Sequence, residues 1–214
     1  YNTARAWYML RTLNPRTKVW DGPNAEYTPF SDDLPWCMVP EKKITVEDVK
    51  YVLSSHYQGT PYDPYASYGD KTMCGAYRSI GINRNDVMTL IQMRPEGEPI
   101  QWLAFASNAF NVLAPFYTDM DTTPGYLSGT NGKVSTENFY WMSRMIAAMA
   151  DASYSKSVFH IERYQEKVAA KSHEILNRYD TLLEQETDEK TRKKLQEEAN
   201  EKIAGMLQCA AADT

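Results

Sequence analysis

The stretch that decides the fold is DVMTLIQMRPEGEPIQWLAFA, residues 86–106. It contains two short apolar runs, 86–94 and 99–106, and the sequence Pro95-Glu96-Gly97-Glu98-Pro99 lies between them. Runs of this length on either side of a Gly- and Pro-containing turn are typical of paired β-strands. The sequence therefore predicts an antiparallel hairpin in the middle of the chain.

A third short run, residues 74–84, precedes this hairpin and is separated from it by the turn sequence Asn83-Arg84-Asn85-Asp86. Its spacing extends the prediction to an antiparallel meander of three strands. In Val87-Met88-Thr89-Leu90-Ile91 both alternating faces are largely apolar. We therefore expect the sheet to be covered on both sides, since a solvated face would alternate more cleanly.

Helical signals lie before the predicted sheet. Thr3 is in position to cap a short helix that Asn14-Pro15 ends. Residues 14–43 contain five prolines and many polar side chains, which predicts a long irregular connection. Thr45 and Asp48 have the spacing of a capping box, which predicts that another short helix begins there.

Three helices are predicted after the sheet, each from apolar residues at helical spacing. Ser135 is expected to cap the first, and Thr187 or Asp188 begins the third. The last two predict a helical hairpin with charged outer faces. The fold class is thus α+β, with 1–156 expected as the main domain and 157–214 as a helical hairpin packed on it.

Composition limits the classes of function. Of the 214 residues 43% are hydrophobic and 24% are charged, and the net charge is −5. These values are ordinary for a globular protein and give no basic face for nucleic acid. The one basic run, Arg192-Lys193-Lys194, lies among acidic residues and is typical of a solvated helix face. No apolar run approaches the 18 residues that a membrane helix needs.

No motif for a cofactor or a metal is present, so neither is expected. The sequence lacks a P-loop, a G-x-G-x-x-G and an H-E-x-x-H, and its three cysteines are widely spaced. His160 and His173 lie in the charged helices, where we expect surface positions. His56 is expected to close a helix, where a cation complements the helix dipole, so a structural role is favoured over catalysis.

Several segments, in order, resemble the bacterial dipeptidase A family, which is related to the secernins within the N-terminal-nucleophile hydrolases. The sequence His56-Tyr57-Gln58-Gly59-Thr60-Pro61-Tyr62-Asp63 resembles the family's HYxGTxxD stretch. Further matches span roughly residues 1–165. They are Tyr1-Asn2, Arg5-Ala6-Trp7, Leu13-Asn14-Pro15, Arg78-Ser79-Ile80, Val87 to Arg94, Trp102, Ala114-Pro115-Phe116-Tyr117, Pro124 and Tyr140-Trp141.

This resemblance implies an αββα sandwich and hydrolysis of dipeptide amide bonds. The family's nucleophile is a cysteine at the N-terminus of the mature enzyme, and its own α-amine is the general base. A free amine of pKa about 7.7–8.0 is well matched to a thiol of pKa about 8.5. Residue 1 here is Tyr, whereas Cys37, Cys74 and Cys209 are internal. We therefore expect the nucleophile, and the oxyanion-hole asparagine, to lie upstream of Tyr1.

It follows from the resemblance that this chain is the C-terminal half of such an enzyme and is inactive alone. Its expected partners are a dipeptide substrate, the N-terminal half of the same enzyme and further copies in a homo-oligomer. The start at Tyr1, without Met or a signal-peptide pattern, is expected from a chain that begins inside a longer one. The localisation is unknown, because any signal peptide would lie upstream of Tyr1. Of the possible compartments, the cytoplasm is favoured.

Two residues are candidates for a direct role. In related amidases such as the bile-salt hydrolases, a strand arginine approaches the nucleophile, and Arg78 is the nearest counterpart. On alternation Arg78 shares a strand face with Ile80, Ile82 and Arg84, where a guanidinium would depress a thiol pKa and stabilise negative charge. Asp63 is a candidate partner for the substrate's ammonium group, although it could equally hold its loop by bonding backbone amides.

Two alternatives stay open. One keeps the fold but gives the enzyme another amide substrate, of the penicillin or bile-salt type. The other is a non-catalytic scaffold or interaction domain built around the helical hairpin.

Overall fold

The elements follow one another as two helices, three strands and three helices, and the secondary structure is α+β, as predicted. The computed structural model describes residues 2–66 and 69–214. Tyr1, where the resemblance would require a nucleophilic cysteine, lies outside the described residues. The elements are α1 (Thr3–Leu13), α2 (Val46–Leu53), β1 (Val87–Gln92), β2 (Ile100–Phe105), β3 (Ala114–Tyr117), a 3-10 turn (Gly125–Leu127), α3 (Phe139–Ala152), α4 (Tyr154–Gln185) and α5 (Glu189–Ala212). The chain forms two compact units, and the boundary follows Ile82.

The first unit is organised by buried aromatic side chains. Its core includes Trp7, Tyr8, Trp20 and Tyr57. The indole of Trp7 donates to the carbonyl of Tyr27 at 3.1 Å, and that of Trp20 donates to the Asn14 carbonyl at 2.7 Å. Burying such rings requires a partner for the polar N–H, and here main-chain carbonyls of the irregular connection supply it.

The ends of the first helices partly match the prediction. Thr45 and Asp48 form the predicted capping box, with each side chain bonded to the other's backbone. The prediction for α1 was wrong by one residue: Asn2 precedes the helix and Thr3 is its first member. The connection between the helices is irregular, as expected, and Glu41 fixes it by accepting hydrogen bonds from the backbone of Arg16 and Thr17, each at 2.6 Å.

The predicted strand over 74–84 does not form, and these residues make turns and irregular backbone. Their main-chain groups are bonded to other partners. The hydroxyl of Tyr57 and the guanidinium of Arg5 both donate to the carbonyl of Arg78, and the Gly81 amide donates to the Ser55 carbonyl at 2.8 Å. These bonds use groups that a strand ladder would need, so alternation alone misassigned this segment.

The second unit contains the predicted hairpin of β1 and β2, which are antiparallel with Val87 opposite Phe105. The third strand is β3, which pairs with the other side of β2. A strand of four residues, one of them Pro115, is too short to be predicted from alternation. The expectation that both faces of the sheet are covered is wrong for β1, because Val87 and Ile91 are each 55% exposed.

The three C-terminal helices form as predicted, with one corrected boundary. Asn138, and not Ser135, caps α3, because its side-chain oxygen accepts from the amides of Tyr140 and Trp141. Asp188 caps α5 by accepting from the Thr191 amide. Helices α4 and α5 pack together as the expected hairpin. The division into domains 1–156 and 157–214 stays a prediction.

The helical hairpin packs on the sheet through partly buried polar contacts of Asp180. Asp180 of α4 accepts from the Tyr117 hydroxyl at 2.8 Å and from both terminal nitrogens of Arg94, at 2.6 and 2.9 Å. Burial raises the pKa of the Tyr117 hydroxyl, and the neighbouring Asp180 acts in the same direction. Over the described ranges, no helix combines the length and apolar character needed to cross a membrane.

Candidate functional site

Residues 54–63, which include the 56–63 stretch of the family resemblance, form a tightly bonded loop after α2. Tyr57 has φ of +67° and Gly59 has φ of +75°, both in the left-handed region. For a buried tyrosine this conformation costs of order 1–3 kcal/mol and persists only where the surroundings impose it. Here the Gln58 side chain accepts from the amide of His56 at 3.0 Å and from the Ser55 hydroxyl at 3.2 Å.

His56 and Asp63 form a buried pair across this loop. The imidazole Nδ1 of His56 lies 2.8 Å from Oδ1 of Asp63, and the Tyr65 amide donates to the same oxygen at 2.9 Å. Because a carboxylate accepts, the proton between the two side chains lies on Nδ1. The expectation that His56 closes a helix is wrong, since α2 ends at Leu53 and the partner of the imidazole is a carboxylate.

These bonds bear on the candidate role of Asp63. One oxygen of its carboxylate already holds His56 and the Tyr65 amide within the loop. This is the loop-holding arrangement that the sequence left open beside substrate binding. The role in binding a substrate ammonium group stays a prediction.

Arg78 is exposed, and its backbone is fixed. Its carbonyl accepts from the Tyr57 hydroxyl at 2.9 Å and from Nε of Arg5 at 3.2 Å. Over the described residues its guanidinium has no hydrogen-bond or ion-pair partner within this chain. The predicted strand face that Arg78 would share with Ile80, Ile82 and Arg84 was wrong, because that strand does not form. A catalytic role for Arg78 stays a prediction.

The three cysteines occupy unrelated places. Cys37 is exposed in the irregular connection, and Cys209 is exposed on α5. Cys74 is half-buried in a turn. The prediction that it begins a strand was wrong. In the described ranges, no three His, Cys, Asp or Glu side chains are grouped to hold a metal ion.

Two further features of this region were not predicted. Lys50 donates to the Ser54 hydroxyl at 2.8 Å, and burial lowers the pKa of its ammonium group to about 7. An open cleft of about 370 Å³ lies against the other side of the loop, with Arg11, Asp21 and Tyr51 among its lining residues. Neither feature has a local sequence signal, because both depend on which segments meet after folding.

Comparison with known proteins connects this loop to a family. The model of peptidase family C69 matches residues 1–167. A protein of Bifidobacterium longum named dipeptidase is 52% identical over 180 residues, which cover 82% of this chain and 34% of that protein. A probable dipeptidase A of Streptococcus pyogenes serotype M18 is 44% identical over 213 residues, covering 97% of this chain and 42% of that protein.

Dipeptidase A of Lactobacillus helveticus is 34% identical over 84% of this chain and 37% of its own length. The chain thus spans about a third to two fifths of the curated relatives it matches. The matched residues include the 54–63 loop, the exposed Arg78 and all three strands. The chain belongs to peptidase family C69, the family of the bacterial dipeptidases A.

Proposed function

We propose that these residues are part of a cysteine dipeptidase of the N-terminal-nucleophile class, and that they hydrolyse no dipeptide alone. The observation that carries the proposal is the family match over residues 1–167, together with relatives named dipeptidases that are more than twice as long. The reaction needs a thiol beside a base. None of the three cysteines here has a free α-amine to serve as that base.

The sheet supports the proposed αββα arrangement. One face carries Trp102 and Tyr117, and these side chains contact His173 and Asp180 of α4. The other face carries Val87 and Ile91, which are exposed apolar residues. This face is uncovered at β1, whereas Phe105 of β2 packs against Phe139 and Tyr140 of α3. An uncovered apolar part of a sheet face is what a second sheet would cover in a two-sheet sandwich.

Arg78 is the residue of this chain that we propose to act on the reacting groups. Its guanidinium is exposed while its backbone is held by Tyr57 and Arg5. A cation positioned in this way would lower the pKa of a nearby thiol and stabilise the negative charge that develops on the attacked carbonyl oxygen. Asp63 is proposed to act on the same site by shaping the loop.

The test is a chimera in which this chain replaces the matching 213 residues of the Streptococcus pyogenes probable dipeptidase A. We expect the chimera to hydrolyse dipeptides and the chain alone to leave them intact. Arg78→Ala in the chimera should lower kcat/KM about 10²–10³-fold, the usual cost of a lost oxyanion-stabilising group. Arg84→Ala is the matched control and should change it less than threefold.

Three results would contradict the proposal. They are a folded chimera that hydrolyses acyl-amide substrates but no dipeptide, hydrolysis by the chain alone, and equal effects of the two arginine substitutions on kcat/KM. The first would favour the penicillin or bile-salt type of amidase. The last would remove Arg78 from the proposed site and leave the family membership intact.

A further inference from the structure

The two edges of the three-stranded sheet are built differently. In the β1–β2 ladder the Ala106 amide donates to the Asp86 carbonyl at 2.8 Å, one step before the pair of Val87 and Phe105. Antiparallel ladders alternate between hydrogen-bonded and non-hydrogen-bonded pairs. The amides of Met88, Leu90 and Gln92 therefore point towards β2, and those of Val87, Thr89 and Ile91 point outward.

The edge at β1 is open. Over the described residues no backbone hydrogen bond reaches the outward amides of Val87, Thr89 and Ile91. The strand, VMTLIQ, contains neither a charge nor a proline, and these are the residues with which proteins usually protect an edge. An exposed edge of this kind is a template for pairing with another strand.

The edge at β3 is closed. By the same alternation, the outward positions of β3 are Pro115 and Tyr117. Proline has no amide hydrogen, so the first position offers no donor. At the second, the side chain of Asn200 accepts from the Tyr117 amide at 2.8 Å and donates to the Tyr117 carbonyl at 3.0 Å. The Asn200 amide thus takes the place of a neighbouring strand.

The open edge and the open face share residues. Val87 and Ile91 have outward amides, and their side chains lie on the exposed face, with Thr89 between them. Phe105, opposite Val87, packs against Phe139 and Tyr140 of α3, so this face is uncovered at β1 and not across the whole sheet. A partner must therefore supply both a strand beside β1 and a layer that covers the β1 side chains.

We propose that the β1 edge pairs with a further β-strand supplied by polypeptide outside these 214 residues, with apolar side chains that continue the open face. The inference rests on the proposed function, because the partner is the rest of a longer dipeptidase. The matched relatives have more than half of their length outside the aligned segment, which is ample for both a strand and a covering layer. Pairing of two copies through β1 would satisfy the edge but leave the apolar face in water.

The experiment compares residue-resolved amide hydrogen exchange in the chain alone and in the Streptococcus pyogenes chimera. In the chain alone, the outward amides of Val87, Thr89 and Ile91 should exchange at least about tenfold faster than those of Met88 and Leu90. In the chimera we expect the two sets to be protected alike. A second chimera, made with the Bifidobacterium longum dipeptidase, repeats the measurement if the first does not fold.

A charged substitution tests the edge itself. Ile91→Lys should restore fast exchange at the outward amides in the chimera. Val134→Lys is the control, because Val134 is 56% exposed, much as Ile91 is, but lies in a loop. We expect this control to leave the protection unchanged.

The outcomes separate this inference from the proposed function. Fast exchange at the outward amides of a chimera that hydrolyses dipeptides would overturn the inference alone. Protection in a chimera without dipeptidase activity would support the inference and count against the function. Protection already present in the chain alone, together with the mass of a dimer, would show that a second copy occupies the edge and would overturn the proposal.

Discussion

Asn200 closes the sheet at β3, and its replacement by alanine should be costly. The side chain is fully buried and makes two hydrogen bonds to the Tyr117 backbone. Asn200→Ala leaves a buried amide and a buried carbonyl without these partners. Each such group costs about 1–3 kcal/mol, so the free energy of unfolding should fall by roughly 2–6 kcal/mol. This is a large share of the roughly 5–15 kcal/mol of a typical domain.

The assay is urea unfolding of the chain, monitored by circular dichroism. Asn177→Ala is the control. Asn177 is exposed on α4, so its replacement gains the same helix propensity but removes no buried bond. The control should stay within about 0.5 kcal/mol of the wild type. If the two variants differ in unfolding free energy by less than about 1 kcal/mol, the explanation of the closed edge is refuted.

Three other substitutions probe the first unit. Gly81→Ala should destabilise it strongly, because a Cβ there would lie 2.4 Å from the Ser54 carbonyl oxygen; a thermal melt unchanged by the substitution would contradict this. Desolvation alone would raise the pKa of Glu41, but hydrogen bonds from Thr17 and Arg16 outweigh it and lower the pKa to about 2. The stability that wild type has over Glu41→Gln should therefore be constant above about pH 5 and shrink as pH falls from 4.5 towards 2, as acid-titrated unfolding would show; a constant difference would count against it. Asp63→Ala should cost roughly 2–4 kcal/mol, because His56 and the Tyr65 amide lose a buried acceptor, whereas a higher KM in the chimera with unchanged stability would instead indicate substrate binding.

The parts of the fold that could be predicted are those with a local signal. The hairpin of β1 and β2, the capping box at Thr45 and the hairpin of α4 and α5 each follow from periodicity, turn residues or caps close in sequence. The strand predicted over 74–84 failed because partners distant in sequence, Arg5 and Tyr57, bond its backbone. Local alternation contains no information about such partners.

The candidate site was predictable as a segment but not as a geometry. The resemblance selected residues 56–63, and the turn residues Gly59 and Thr60 indicated a loop. The bond between His56 and Asp63 could not be read from the sequence, because it depends on a chain reversal through the left-handed conformation of Tyr57. The closed edge at β3 was missed for a similar reason, since Asn200 lies 83 residues from Tyr117.

The most direct test of the central claim, that this chain is one part of a cysteine dipeptidase, is an assay of the 214-residue chain alone. The purified chain is incubated with a panel of dipeptides, and the released amino acids are quantified by mass spectrometry. We predict no release above that of a heat-denatured sample, because Cys37, Cys74 and Cys209 have no α-amine to serve as a base. Release that stops when one of these thiols is alkylated would contradict the account, since the nucleophile would then lie within this chain.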